Sequence, residues 1–238
     1  MDQLLVALDV DTVADARALA DQLRGIAGGF KIGSRLFTSH GPSIVEELCA
    51  RGDRVFLDLK FHDIPHTVAG AVAAATRLGV WMVNVHAGGG SDMMRAAREA
   101  ATNEALRMGA PAPLVIAVTV LTSMHEAALA GTGVTGSVAS QVGRLAELTE
   151  QAGLDGVVAS AHEIALIRER CGATFTVVTP GIRGSGDAKG DQRRTMSARE
   201  ALAAGATYLV VGRPIIGASD PRAAAEQIAA DCRAASAP

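Results

Sequence analysis

The strongest constraint on this chain is a strand–helix alternation that runs through its whole length. Short apolar runs alternate with longer stretches rich in Ala, Leu and Arg that have helical patterning. Such alternation favours parallel strands joined by right-handed helical crossovers. Eight units in 238 residues predict an α/β fold, a (β/α)8 TIM barrel, with a doubly wound open sheet as the alternative. The predicted strands are 4–10, 29–33, 54–60, 82–87, 113–121, 156–160, 175–182 and 208–212.

The helical stretches have recognisable ends, and nothing divides the chain between them. Several end at a glycine just before the next strand, at Gly52, Gly79, Gly153 and Gly205, which is typical of helix C-caps. No linker or low-complexity segment interrupts the pattern. We therefore predict a single barrel domain over residues 1–238, with its active site at the C-terminal ends of the strands.

Composition excludes several classes of function. The chain has 22 basic and 25 acidic side chains, so it lacks the positive charge that general nucleic-acid binding needs. No apolar run approaches the roughly 20 residues of a membrane-spanning helix. Met1 leads directly into the first predicted strand, and Cys49, Cys171 and Cys232 form no metal or disulfide pattern. We expect a cytoplasmic protein that binds neither nucleic acid nor membrane.

The inner face of the third predicted strand carries two charged residues. Because side chains alternate across a strand, Phe56, Asp58 and Lys60 share one face while Leu57 and Leu59 point to the helices. Burying a charged side chain on an otherwise apolar face destabilises the fold unless the charge is paired, so such residues indicate an ion pair or a functional site. Only three of the 22 basic side chains are lysines, and a lysine differs from an arginine in its compact charge and its ability to release a proton.

The neighbouring strands also have polar inner faces at their C-terminal ends. The same alternation points Asp9, Lys31, Asn84 and His86 inward, and Asp63 follows in the loop after the third strand. Together with the charged pair of the third strand, Asp9, Lys31 and Asp63 are expected at one mouth of the barrel. Alternating carboxylates and ammonium groups favour a site that fixes charges against a substrate whose own charge changes. A structural ion-pair network is the alternative.

The loops after the last two strands predict a phosphate site. Loops at these positions of a (β/α)8 barrel commonly bind phosphate through backbone N–H groups and a cation. A Gly-rich polar segment, 179–194, follows the seventh strand, and Gly212 and Arg213 follow the eighth. We predict that Arg213 and Gln192 donate to the phosphate, with a contribution from Arg183. A flexible surface connection is the alternative for the segment.

Two cofactor-like patterns lack the context that their chemistry needs. Residues 131–136 spell GxGxxG, but no strand precedes them, so they do not indicate a dinucleotide site. His62 and His66 are four residues apart, but Pro65 prevents a regular helical zinc pair. We predict neither a metal nor a cofactor.

Several short segments together carry a family resemblance over nearly the whole chain. DLKFHDIPHTV (58–68) resembles a signature of the form DxKxxD followed by Pro-Asn-Thr, with His66 where Asn is usual. On these segments the chain resembles the orotidine 5′-phosphate decarboxylase family. The remaining segments, in the family's order, are ALD (7–9), FKIG (30–33), VLTS (120–123), PGIR (180–183), GDQRR (190–194) and VGRP (211–214).

The resemblance implies an activity and the residues that perform it. The activity is the metal- and cofactor-independent decarboxylation of orotidine 5′-phosphate to UMP, the last step of UMP biosynthesis. The resemblance further implies that Lys60 protonates C6 and that Asp58 lies beside the substrate carboxylate. It also implies that Asp9 binds the ribose and that Lys31 bonds to the ribose and to a catalytic carboxylate.

The resemblance also implies a homodimer with shared sites. Asp63 and Thr67 should reach the partner subunit's site, and Thr122 or its neighbour Ser123 should meet the pyrimidine ring. The residues expected to bind the phosphate end are Arg183, Gln192, Gly212 and Arg213.

These residue types suit the implied reaction better than they suit its rivals. Loss of CO2 from C6 leaves an anion that the ring cannot delocalise well, and Lys60 would be both its fixed cation and its acid. Magnesium-dependent sister enzymes acting on ketose phosphates share DxKxxD, but they usually have an acidic metal ligand at the position of Lys31. A Schiff-base aldolase is disfavoured because neighbouring carboxylates keep Lys60 charged. A catalytically silent phosphate-binding protein is the remaining alternative.

Overall fold

A computed structural model of the protein describes residues 2–182 and 196–235. Within these residues, eight parallel strands pair in sequence order, and the eighth pairs with the first to close a barrel. The predicted (β/α)8 TIM barrel is confirmed, and the open-sheet alternative is wrong. The strands are β1 (Leu4–Ala7), β2 (Gly29–Gly33), β3 (Val55–Phe61), β4 (Met82–His86), β5 (Leu114–Val118), β6 (Gly156–Val158), β7 (Thr176–Pro180) and β8 (Tyr208–Val211).

Helices follow the strands on the outside of the barrel. Several begin at a polar residue whose side chain accepts a backbone N–H, as Thr12 and Ser137 do, and Ser197 forms a capping box with Glu200. The helices of the described residues are α1 (Val13–Leu23), α2 (Ser34–His40), α3 (Ser43–Ala50), α4 (Pro65–Arg77), α5 (Gly90–Met108), α6 (Glu126–Gly131), α7 (Val138–Gln151), α8 (Ile164–Cys171), α9 (Ala198–Ala203), α10 (Arg213–Ile216) and α11 (Pro221–Ala235). No helix among the described residues is both long enough and apolar enough to span a membrane.

Several local features differ from the sequence expectation, among them a short helix and the length of the fifth strand. The helix α2 was not predicted, and it places Arg35 at the C-terminal end of β2. The fifth strand was predicted to extend to residue 121 but ends at Val118, where its pairing with both neighbours ends, at His86 of β4 and Val158 of β6. Apolar residues continue beyond the ladder at this rim, so hydrophobicity alone overstates the length of the strand.

The strands separate two layers of apolar side chains. The larger layer lies between the strands and the helices and includes Leu57, whereas a smaller one fills the barrel interior and includes Phe56. The predicted alternation along β3 is therefore confirmed. The inner layer occupies the barrel interior below the rim, so the polar side chains above it lie at the C-terminal mouth. The inner layer consists of Leu5, Ala7, Phe56, Met82, Ile116, Val118, Val158, Val178 and Val210.

The pairing of β3 with β4 is irregular where the charged residues lie. Leu57 is paired with Val83, but the next pair is Phe61 with Val85, so three residues of β3 stand opposite one residue of β4. Lys60 lies in this bulge and has a φ of +53°, which is a left-handed backbone conformation. Bulges bend a strand and redirect its side chains, and they are common beside active sites.

Candidate active site

A cavity of about 570 Å3 opens at the C-terminal ends of the strands. It is deep enough to reach the inner apolar layer, because Phe56, Val158 and Val210 form part of its wall. Its size suits a small molecule rather than a macromolecule. The residues of the sequence prediction that line it are Asp9, Lys31, Asp58, Lys60, Thr122, Gly212 and Arg213.

Four of these side chains form a row of alternating charge along one wall of the cavity, which we call the chain of charge. Lys31 Nζ lies 3.0 Å from Asp9 Oδ1 and 3.4 Å from Asp58 Oδ2. The other oxygen of Asp58, Oδ1, accepts a hydrogen bond from Lys60 Nζ at 2.6 Å. Asp58 therefore has a different ammonium group on each of its two oxygens, and both lysines are held by a shared carboxylate.

Burial and neighbouring positive charge shift the pKa of Asp58 in opposite directions. Its side chain is 12% exposed, and burial by itself would raise the pKa of the carboxyl group. Lys31 and Lys60, with hydrogen bonds from Lys60 and Asn84, outweigh burial and lower the pKa of Asp58 below its usual value of 3.8. Asp58 is therefore a carboxylate at neutral pH, fixed beside the space that a substrate would fill.

Asn84 is a functional candidate to which the sequence analysis assigned no role. Its side chain is fully buried in β4, accepts the backbone N–H of Lys60 at 2.8 Å and donates to Asp58 Oδ1 at 2.7 Å. The sequence signal was an inward amide between apolar neighbours in the run MVNVH. A buried amide in such a run has to be hydrogen-bonded, but its partners are not evident without the strand pairing.

Gly33, at the end of β2, leaves the space that the first ion pair needs. A Cβ atom at this position would lie 3.0 Å from Lys31 Nζ and 3.2 Å from Asp9 Oδ1. Both distances are shorter than comfortable non-bonded contact. The absence of a side chain at Gly33 therefore allows Lys31 and Asp9 to meet over the barrel mouth.

The end of β8, which pairs with β1, and the start of α10 form the part of the cavity wall beside Asp9. Gly212 precedes α10, and a Cβ atom built on it would lie 3.5 Å from the Cβ of Ala7 and 3.8 Å from Asp9 Oδ2. Arg213 is exposed beside it, and Arg35 from α2 adds a second arginine to the lining. Arg35, which pairs with Asp11, was missed because α2 was not predicted.

Some of the predicted residues lie away from this cavity or outside the described residues. Asp63 and Thr67 are exposed, and Asp63 accepts the backbone N–H of Ile64 at 2.6 Å instead of joining the charged chain. Of the pair Thr122 and Ser123, Thr122 lines the cavity. The predicted phosphate ligands Arg183 and Gln192 lie outside the described residues, as does Lys189.

His62 has a ring partner, but the partner is not His66. The imidazoles of His62 and His86 lie with their centroids 5.3 Å apart and their planes tilted by 34°. Burial, followed by the charges of His62 and Lys60, lowers the pKa of His86, and Asp58 opposes this only in part. Within residues 2–182 and 196–235, no three His, Cys, Asp or Glu side chains are grouped so that they could hold a metal ion.

Comparison with known proteins gives a consistent family assignment. A family profile described as "Orotidine 5′-phosphate decarboxylase / HUMPS family" matches residues 2–228. The orotidine 5′-phosphate decarboxylase of Moorella thermoacetica is 54% identical over 231 residues, which cover 97% of this chain and 92% of that protein. The enzyme of the same name from Saccharophagus degradans is 53% identical over 234 residues, covering 98% and 96% of the two chains.

Solved structures agree with these sequence relatives. The crystal structure of orotidine 5′-phosphate decarboxylase from Lactobacillus acidophilus superposes with a TM-score of 0.85 at 34% identity. The superposition covers 98% of this chain and 99% of that one. A crystal structure described as an uncharacterized conserved protein from Geobacillus kaustophilus has a TM-score of 0.82 at 38% identity, covering 96% and 99% of the two chains.

Proposed function

The chain belongs to the orotidine 5′-phosphate decarboxylase / HUMPS family, and from this premise we propose that it converts orotidine 5′-phosphate to UMP and CO2. It is then a carboxy-lyase of pyrimidine biosynthesis. The observation that carries the proposal is the chain of charge Asp9–Lys31–Asp58–Lys60 along one cavity wall. Such fixed charges suit a reaction in which a carboxylate is lost and a carbanion appears.

The substrate lies along the cavity with its two ends held by different elements of the barrel mouth. The phosphate binds at Gly212 and Arg213, with Arg183 and Gln192 completing its ligands. The ribose lies against Asp9 and Lys31, and Thr122 meets the pyrimidine ring. Binding energy from the phosphate, remote from the reacting bond, then holds the orotate carboxylate against Asp58. Support comes from the cavity lining, in which these groups of residues stand on different elements.

The chemical step breaks the bond between C6 and the carboxylate carbon. CO2 leaves, and the electron pair of the broken bond stays on C6. Lys60 stabilises this developing anion with its ammonium charge and then transfers a proton from Nζ to C6, which yields UMP. The neutral amine regains its proton from water. Asp58 holds Lys60 in place through the 2.6 Å contact, and its fixed charge disfavours a second carboxylate beside it.

The reaction needs neither a metal ion nor a cofactor in this proposal. The physical support is the position of Lys31, whose ammonium group lies 3.4 Å from Asp58 Oδ2. With Lys60 on the other oxygen, a divalent cation approaching Asp58 would face two positive charges. Magnesium sites instead use carboxylates that are free to coordinate the metal.

The enzyme works as a cytoplasmic homodimer in which each subunit completes its partner's site. Asp63 and Thr67 project into solvent near the barrel mouth, and Ile64 between them is 67% exposed. A partner subunit that covers this surface would bury the apolar side chain of Ile64, which favours association. Asp63 of one subunit then supplies a second carboxylate near Lys60 of the other, and Thr67 contacts that subunit's substrate.

The test is the decay of orotidine 5′-phosphate absorbance after the protein has been treated with EDTA. We expect conversion to UMP at a rate that added Mg2+ does not raise. In D2O, one deuterium should appear at C6 of the product. No turnover of orotidine 5′-phosphate, or turnover of a ketose phosphate that only Mg2+ restores, would contradict the proposal. Tight UMP binding without turnover would indicate the catalytically silent binding protein instead.

A further inference from the structure

We propose that Asn84 is a positioning residue of the reaction, which holds Lys60 and Asp58 in their working geometry across the bulge of β3. This inference rests on the proposed function, because it concerns how the two catalytic side chains are held. It adds a neutral β4 residue to a site whose charged members come from β2, β3 and the segment that follows β1.

The first observation is the place of Asn84 in the strand pairing. Between the pairs Leu57–Val83 and Phe61–Val85, β4 contributes only Asn84, whereas β3 contributes Asp58, Leu59 and Lys60. A regular ladder cannot satisfy all the backbone groups of three residues opposite one. The side-chain oxygen of Asn84 accepts the N–H of Lys60 at 2.8 Å and so supplies an acceptor that the irregular pairing leaves out.

The second observation is the backbone conformation of Lys60. Its φ of +53° makes it the only non-glycine with positive φ among the described residues. A lysine in this conformation is strained relative to a regular strand, and such strain persists only where the surroundings impose it. The hydrogen bond from Lys60 N–H to Asn84 is one such restraint, and it acts directly on the residue that delivers the proton.

The third observation is that the same amide also restrains the carboxylate. Asn84 Nδ2 donates to Asp58 Oδ1 at 2.7 Å, and this oxygen also accepts from Lys60 Nζ at 2.6 Å. The amide therefore has one hydrogen bond to each member of the Asp58–Lys60 pair. Because Asn84 is fully buried, water cannot easily replace either bond if the amide is removed.

Removal of the Asn84 amide should therefore lower the rate of the chemical step more than it weakens substrate binding. Without the amide, the backbone of Lys60 can relax toward a regular strand and carry Nζ away from C6. Misplacement of a reacting group by about 1 Å can cost ~100-fold in rate. The phosphate end of the cavity, at Gly212 and Arg213, is not touched by Asn84, so substrate binding should change little.

The experiment compares Asn84→Ala with the wild type in steady-state kinetics across pH. We expect kcat to fall by ~100-fold, with KM changed by less than about threefold. The acid limb of the kcat profile should move to higher pH, because Asp58 loses a donor that favours its charged form. The charged and titratable groups that face Asp58 are Lys31 from β2, Lys60 from β3 and His86 from β4, and the substitution removes none of them from the chain.

Thr149→Ala is the matched control for a purely structural effect. Thr149 is another fully buried polar residue, but it lies in α7 and bonds to the carbonyl of Leu145. The Thr149→Ala variant should have a lower free energy of unfolding in urea. Its kcat per folded molecule and its pH profile should match those of the wild type. If Asn84→Ala behaves like this control, the positioning role is wrong.

A second variant and a second measurement keep the outcome clear. If Asn84→Ala does not fold, the nearly isosteric Asn84→Asp keeps an acceptor for Lys60 N–H but replaces the donor to Asp58 by a like charge. Wild-type kcat and an unmoved acid limb in Asn84→Asp would overturn the inference.

If the wild type itself does not decarboxylate orotidine 5′-phosphate, the proposed function fails instead. The 13C carboxyl titration of Asp58 in the unliganded protein then decides: a higher midpoint in the Asn84 variant supports the restraint, and an unchanged midpoint overturns it.

Discussion

Lys60 Nζ lies 2.6 Å from Asp58 Oδ1, while Lys31 Nζ lies 3.4 Å from the other oxygen of the same carboxylate. The two ammonium groups are thus fixed on either side of one negative charge. A carboxylate of the substrate placed beside Asp58 meets a like charge, whereas an anion forming near Lys60 meets an opposite one. The arrangement favours the charge distribution after loss of CO2 over the distribution before it.

Replacement of Lys60 by alanine should abolish turnover while the barrel stays folded. The variant loses the general acid, which typically contributes 10²–10⁴-fold, and also the fixed cation, so kcat should fall by ~10⁴-fold or more. The measurement is single-turnover conversion of orotidine 5′-phosphate, with urea unfolding to verify the fold.

Lys60→Arg separates the two contributions of the lysine. Arginine keeps the positive charge but does not release a proton readily at neutral pH. We expect it to recover little of the lost rate. Wild-type activity in either variant would contradict the assignment of Lys60 as the proton donor.

Mixing two inactive variants should restore activity if the sites are shared between subunits. In a mixed dimer of Lys60→Ala and Asp63→Asn chains, one of the two sites has a native Lys60 from one subunit and a native Asp63 from the other. With random reassociation, half of the dimers are mixed, so about 25% of the wild-type activity should return. The measurement is the initial rate after the two proteins are unfolded and refolded together. If each site uses its own Asp63, the mixture stays as inactive as its components.

Sequence patterning accounts for most of the fold and for the faces of the strands. The alternation of apolar runs and helical stretches predicted a closed barrel, and the two-residue period placed Asp58 and Lys60 on its inner face. The faces of the strands follow from neighbours along the chain, and closure of the barrel was inferred from the number of strand–helix units. They can therefore be inferred from a single sequence.

Features that depend on pairing between distant segments were not accessible in this way. The bulge in β3 and the hydrogen bonds of Asn84 require the register of β3 against β4, which a period of two does not specify. The loop that carries Asp63 looked compatible with the charged mouth, but Pro65 begins α4 immediately afterwards and Asp63 stays exposed. Arg35 was missed because the short helix α2 has no strong periodic signal.

Gly33→Ala should impair turnover with little effect on stability. The new methyl group would approach Lys31 Nζ to 3.0 Å and Asp9 Oδ1 to 3.2 Å, and both are flexible side-chain ends that can move apart. Gly33 has a φ of −93°, so alanine fits the backbone, and stability should change by less than about 1 kcal/mol. Displacement of the ion pair by a few tenths of an ångström should lower kcat by ~10-fold.

Gly70→Ala is the matched control for the glycine substitution. Gly70 lies within α4, and a Cβ atom there would meet nothing within 4 Å. The change should stabilise the helix by about 0.5–1 kcal/mol and leave kcat unaltered. Equal kinetic behaviour of the two alanine variants would mean that the space beside Lys31 has no catalytic importance.

His86 should make the stability of the protein depend on pH in mildly acidic solution. Burial, with the nearby charges of His62 and Lys60, lowers the pKa of His86 below its usual 6.5 in the folded state. The unfolded chain therefore binds a proton more readily than the folded chain, so the free energy of unfolding falls as the pH is lowered from 6.5 toward the folded-state pKa. Above pH 6.5 this contribution is fully present.

Urea unfolding at steps between pH 7.5 and about 5 measures how steeply the free energy of unfolding depends on pH. The slope should be smaller in His86→Gln, whereas His162→Gln, which replaces an exposed histidine, should keep the wild-type slope. A wild-type slope in His86→Gln would show that other groups determine the acid sensitivity.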